Sequence, residues 1–216
     1  MTKRGIITIV VLVAAAIAAI LFVVLRPSAP EEPAPVYTIA IDAGHGGRDP
    51  GASDADVLEK DINLVVAKLV RDLAAAEEDL DPVMIRSLDI FIALEDRIAQ
   101  AEEAGAMLYV TVHVNSYTNA DPEGVETIVD NTRAMDDDSW ILAELIQNGV
   151  VEATGARDRG TRMQESYLQR TTMPAVSVEI GYVTNPAERA KLIDPAYQQR
   201  VAQGIARGID RYVTGL

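Results

Sequence analysis

The chain contains no cysteine, which excludes disulfides, thiolate metal ligands and a cysteine nucleophile together. Any metal ion must be held by histidine and carboxylate. Histidine is itself scarce, with His45 and His113 the only two in 216 residues. Aromatic side chains make up 5% of a chain that is 49% hydrophobic, so the core must be built from Val, Ile, Leu and Ala, as in ordinary α/β proteins. Positive charge is the remaining shortage. Of 19 Lys and Arg, three (Lys3, Arg4 and Arg26) precede residue 27, leaving 16 against 33 acidic residues beyond it, a net −17. Such a surface repels phosphate backbones and excludes nucleic acid as a partner. Freedom from cysteine also accords with an extracytoplasmic location.

What is present divides into three segments. Residues 1–26 hold an uncharged run, Gly5 to Leu25, whose 21 residues span roughly 30 Å as a helix, enough to cross a bilayer core. A buried soluble helix is seldom apolar on every face for that length. Lys3 and Arg4 precede the run, whereas Arg26 alone follows it before Glu31 and Glu32, so the positive-inside bias places the N-terminus in the cytoplasm and the rest outside. The small-residue patterns lie within the run and Pro27 and Pro30 crowd its exit, which favours an uncleaved anchor over a cleaved signal peptide. Residues 27–36, with four prolines in ten, read as an extended tether of at most about 30 Å. Residues 37–216 suit one domain with a single core.

Within that domain short apolar runs alternate with amphipathic stretches. The pattern predicts strands at 36–42, 83–86, 107–113, 125–130 and 175–180, and helices near 60–76, 90–104, 139–154 and 195–213. In the last helix Tyr197, Val201, Ile205 and Ile209 recur every fourth residue and define a buried stripe. This is the element order of an α/β fold.

Both histidines stand at the ends of strand-like runs, His45 in IAIDAGHGG and His113 in LYVTVHVNS. Ligands of α/β sheets gather at such carboxyl ends, although a lone histidine there is often only hydrogen-bonded structure. Glu59 opens an amphipathic helix, a place any glutamate favours because of the helix dipole. Glu179 lies inside the apolar run PAVSVEIGY, where burial costs several kcal/mol unless the charge is paired or near a metal. Two histidines and one carboxylate form a catalytic rather than a structural zinc set, leaving a fourth position for water. The intervals are long, however, 14 residues from His45 to Glu59 and 54 from Glu59 to His113, and no local metal motif is present. The loop GHGGRDPG is no phosphate cradle: no Lys-Ser/Thr pair follows, and Pro50 removes an amide donor. Its glycines fit a tight turn beside a ligand.

Four segments in order, IDAGHGGRDPGA, LEKDINL, TVHVNS and PAVSVEIGYVTNPAE, resemble the zinc-dependent N-acetylmuramoyl-L-alanine amidases of the amidase type 3 family. The resemblance spans residues 37–213 and includes RSLDIFIALEDRIAQAEEAGA between the second and third segments. It implies an open, mostly parallel sheet with helices on both faces, here preceded by one transmembrane helix. It implies one Zn2+ held by His45, Glu59 and His113, with Glu179 as the catalytic carboxylate. The implied substrate is peptidoglycan, cut at the amide between N-acetylmuramic acid and L-alanine of the stem peptide. Asn115, two residues beyond His113, is expected to bind substrate or orient the histidine. Val114 replaces the alanine of many relatives. Between Asp130 and Trp140 the chain has only the short loop NTRAMDDDS, where some relatives insert an inhibitory helix, so the site is expected to be open without an activator. The membrane anchor would then confine the enzyme to wall material near the cytoplasmic membrane. Two other readings stand beside this one. The first is a zinc peptidase acting on wall stem peptides; the second is a catalytically silent wall-binding protein on the same fold.

Overall fold

In a computed structural model of the chain, strand β1 (Tyr37–Ala43) shows how the central sheet is built. Successive side chains of an extended strand point to opposite faces. Ile39, Ile41 and Ala43 accordingly enter one apolar cluster, whereas Ala40 enters a second, smaller one. Strand β5 (Leu108–Asn115) repeats the division, with Leu108, Val110, Val112 and Val114 in the large cluster and Tyr109 in the small one. The structure describes residues 35–215 and Phe22. The expected membrane span and most of the proline-rich tether lie outside these described residues. Among them no helix is long and apolar enough to cross a membrane.

A small hairpin, β2 (Ser53–Asp54) with β3 (Val57–Leu58), leads into helix α1 (Glu59–Ala74). Then follow β4 (Leu80–Met84), α2 (Leu94–Glu103), β5, β6 (Val125–Asp130), α3 (Asp138–Thr154), β7 (Asp158–Gln164), a 3-10 turn (Tyr167–Arg170), β8 (Ala175–Tyr182), α4 (Pro186–Leu192) and α5 (Pro195–Thr214). The six-stranded sheet runs β4-β1-β5-β8-β6-β7. Every neighbouring pair is parallel except β6 with β8. Residues of α1, α3 and α5 supply the large cluster; α2 and the 3-10 turn supply the small one. Helices therefore cover both faces, unequally. The expected stripe on the last helix is buried as predicted, Tyr197, Val201, Ile205 and Ile209 included.

Strand β4 lies at Leu80–Met84 rather than 83–86, the β2–β3 hairpin and the 3-10 turn were not expected, and three further differences have a clear physical reason. The helix predicted near 90–104 begins only at Leu94, because residues 86–93 are tied down as a loop: Asp89 accepts from the amide of Gly47 at 2.7 Å, and Arg97 Nε donates to Ile92 O at 3.0 Å. Strand β7 was not expected, since DRGTRMQ has no apolar alternation; it is a mostly exposed edge strand whose ladder to β6 holds it. Helix α4 was missed for its shortness. Asn185 caps it, accepting from the amides of Ala187 and Glu188, with Pro186 at the first position.

Candidate metal centre and active site

The period of two puts Asp42, Tyr109, Thr111, His113, Ser177, Glu179 and Glu126 on the sheet face that carries the smaller cluster. His113 and Glu179 are register partners across β5 and β8, and Glu179 and Glu126 across β8 and β6. Here the carboxyl ends of β1, β5 and β8 meet the amino ends of β6 and β7.

His45 lies just past β1, in left-handed backbone with φ +61°, which a side-chain-bearing residue adopts only when its surroundings impose it. Two buried arginines impose it. Arg86 donates to the carbonyls of Ala43 (2.7 Å), Gly44 (2.9 Å) and Lys60 (2.9 Å). Arg97 donates to the carbonyls of Ala43 (2.9 Å) and His45 (2.5 Å) and pairs with Asp42 at 2.6 Å. Asp42 Oδ2 also accepts from Tyr109, Thr111 and Tyr167 hydroxyls. Glycine is obligatory nearby for lack of room. A Cβ at Gly44 would stand 2.2 Å from the His113 ring, and one at Gly51 (φ +66°) would stand 2.5 Å from Glu59 Oε2.

Glu59, at the first turn of α1, points its carboxylate between the two rings. His113 Nδ1 is 2.9 Å and His45 Nε2 3.3 Å from Glu59 Oε1. Oε1 further accepts from the amide of Val114, and Oε2 from the amide of Ala52 at 2.7 Å. The three side chains each bring a ligand atom within 4.8 Å of the others. Ligand atoms about 2.0–2.2 Å from a tetrahedral zinc stand roughly 3.3–3.6 Å apart, so the donor set fits Zn2+ in chemistry, and the two histidine distances to Glu59 lie close to that spacing. Atoms that here meet through shared protons would meet through the ion.

Electrostatics points the same way. Burial disfavours a charged His45, but the hydrogen bonds and charges of Glu59 and Asp49 outweigh it and raise its pKa to about 9. Burial likewise opposes ionised Glu59, yet the hydrogen bonds from His113 and His45 hold its carboxyl well below the usual range. His113 is raised despite burial, by Glu59 and Glu179. A site that concentrates negative charge on two imidazoles is one that attracts a cation. Glu179 behaves oppositely. Burial, helped by the charges of Glu59 and Glu126 and opposed by His113, pushes its carboxyl up to about 7. Among the described residues its one side-chain hydrogen-bond partner, the Ser177 hydroxyl, is distant at 3.4 Å.

A family model described as N-acetylmuramoyl-L-alanine amidase matches residues 39–211. The chain belongs to that family. The LytC amidase of Bacillus subtilis is 38% identical over 176 residues, which cover 81% of this chain and 35% of that longer protein. A crystal structure of an N-acetylmuramoyl-L-alanine amidase from Clostridium difficile 630 superposes with a TM-score of 0.80 at 34% identity, covering 84% of this chain and 98% of that one. The CwlD amidase of Clostridioides difficile, solved in complex with the GerS lipoprotein, superposes with a TM-score of 0.75 at 26% identity, covering 83% of this chain and all of that one.

The amidase fold thus brings together His45, Glu59, His113 and Glu179. Asn115 is placed differently from the expectation that it orients His113. Its amide nitrogen donates to Glu126 Oε1 at 2.8 Å, because a bulge in the β5–β8 ladder after His113 pairs Asn115 with Tyr182. Sequence reasoning also missed Asp49, whose carboxylate accepts from His45 Nδ1 at 2.8 Å. That bond fixes the tautomer and leaves Nε2 for a metal. Its spacing of four from the histidine was the only available signal. Asp49→Ala is expected to weaken zinc binding about 10- to 100-fold, measured by competition with a chromogenic chelator; unchanged affinity would remove Asp49 from the centre.

Proposed function

We propose that this amidase is a single-zinc peptidoglycan hydrolase that releases intact stem peptides from N-acetylmuramic acid, with Glu179 as its proton carrier. The observation that carries the reading is the convergence of His45, Glu59 and His113 beside a carboxyl held near neutrality on the adjacent strand. Zn2+ bound by the three side chains would supply Lewis acidity toward the scissile carbonyl and acidify a water molecule. Glu179 then accepts one proton from that water as its oxygen bonds to the carbonyl carbon. As the C–N bond breaks, the same carboxyl passes the proton to the nitrogen of L-alanine. A carboxyl near pH 7 is suited to both transfers, since neither protonation state is costly. The acyl portion of the substrate has room in a cavity of about 300 Å³ beside His45 and His113, lined by Phe91, Ile92, Leu94 and Tyr167.

Residues 131–137 form a short connection between β6 and α3. Arg133 fastens it to the carbonyls of Thr171 (2.7 Å) and Met173 (2.9 Å). This supports a site that works without an activator. The uncharged run at 5–25 and the acidic residues after it support an anchored enzyme facing outward from the cytoplasmic membrane. The test is mass spectrometry of peptidoglycan digested by the full chain with no added protein. Stem peptides bearing a free L-alanine amine are expected, with release stopped by a chelator and restored by Zn2+. Cleavage within the stem peptide would make the protein a peptidase, and no cleavage with zinc bound would make it a silent binder.

A further inference from the structure

Past Glu179 the same sheet face carries a second polar cluster. Glu126, 5% exposed, accepts from Asn115 and from the Tyr182 hydroxyl (2.9 Å) on Oε1. Its Oε2 faces two arginines of the edge strand β7, with Arg159 Nε at 3.1 Å and Arg162 Nε at 2.7 Å. Arg159 also stacks over the Tyr182 ring at 5.1 Å. Among the described residues Glu126 is the one carboxylate within ion-pair reach of either guanidinium. One carboxylate is therefore shared by two guanidiniums, on a chain of net charge −14. Glu126 engages both through Nε, the inner nitrogen of the fork, and a guanidinium carries four further N–H groups on its terminal nitrogens. Arg162 has half its side chain (53%) in solvent.

Resting on the amidase reading, we propose that Arg162 and Arg159 bind a carboxylate of the departing stem peptide, two residues beyond the scissile amide. Direction and distance both favour it. Glu179 protonates the leaving nitrogen, so the peptide lies on the β8 side of the metal and continues over β6 toward β7. Two strand spacings separate β8 from β7, about 10 Å. An extended peptide advances about 3.3–3.6 Å per residue, and a carboxylate on the second residue adds the reach of its own bonds. Guanidinium is the group best matched to a planar carboxylate. Glu126 sets the two arginines in place while Asn115 and Tyr182 saturate its other oxygen, so Asn115 serves the peptide side of the site through Glu126.

The test uses the zinc-loaded full chain and two synthetic N-acetylmuramoyl tetrapeptides, differing only in whether the second residue carries a free carboxylate or its carboxamide. The wild type is expected to prefer the free carboxylate about tenfold in kcat/KM, mainly through KM. Arg162→Ala and Arg162→Gln are expected to abolish that preference, Arg162→Glu to invert it, and Arg200→Ala on α5 to preserve it. A wild type that cuts both compounds equally well, or a preference that survives in the Arg162 variants, overturns the subsite while leaving the amidase reading intact. Failure of the zinc-loaded wild type to cut either compound overturns both.

Discussion

Glu179→Gln is expected to lower kcat on muramoyl peptides by about 10²–10⁴-fold while zinc stays bound with near wild-type affinity. The amide has nearly the shape of the carboxyl and keeps a hydrogen bond for a water molecule, but it cannot take a proton from that water or return one to the leaving nitrogen. Neither histidine contact to Glu59 involves residue 179, and residue 179 is not among the three grouped ligands, which is why metal binding survives. The pH dependence follows from the same group. Its pKa is raised to about 7 by burial and by Glu59 and Glu126, and a divalent cation alongside His113 would draw it down. The proton-accepting form is therefore lost as pH falls, and kcat/KM of the wild type should decline on the acid side of a midpoint at or below about 7. Stopped-flow or discontinuous assays at saturating zinc, with parallel metal analysis, measure both effects. A variant that keeps more than about a tenth of wild-type turnover would assign proton transfer to another group.

Arg97→Ala is expected to destabilise the domain by about 3–5 kcal/mol and to weaken zinc binding as well. Arg97 is 2% exposed and Asp42 fully buried, so removing the guanidinium strands a carboxylate in the core. For a domain of this size that corresponds to a fall in Tm of about 10 °C, read by calorimetry. The second effect has a separate origin. Arg97 also holds the His45 carbonyl, and without that bond the left-handed backbone at His45 relaxes and its ring leaves Glu59. The paired variant Asp42→Asn/Arg97→Met separates the two. It should recover much of the stability, because neither member of the buried Asp42–Arg97 pair is left charged without its partner, yet not the zinc affinity. Recovery of both would show that the arginine acts on the metal centre only through global stability.

The segment RSLDIFIALEDRIAQAEEAGA illustrates how much of this was legible in sequence. Its amphipathic second half is recognisable as helix, and it is, from Leu94 onward. The roles of Arg86 and Arg97 within it were not legible. Four of their acceptors are carbonyls 42 to 54 residues earlier, and backbone acceptors leave no mark on composition or spacing. Glu59 presents the same difficulty, since a first-turn glutamate looks identical whether it serves a helix dipole or a metal. Strand β7 was invisible because an edge strand with solvent on its outer side needs no apolar alternation, and Arg159 and Arg162 went unread with it.

The sequence alone determined the chemical type of the centre. Lacking cysteine, with two histidines at strand ends and a glutamate inside an apolar run, the domain had only imidazole and carboxylate to offer a metal, and the ordered motifs named which. Tertiary structure decided how each group is used. Register across β5, β8 and β6 set Glu179 between a histidine that lowers its pKa and carboxylates that raise it. The Asp49 bond chose the His45 nitrogen that faces the centre, and the β5–β8 bulge turned Asn115 away from His113 and toward Glu126. Those outcomes depend on distances of a few ångströms between residues far apart in the chain, and such distances exist only once the sheet has formed.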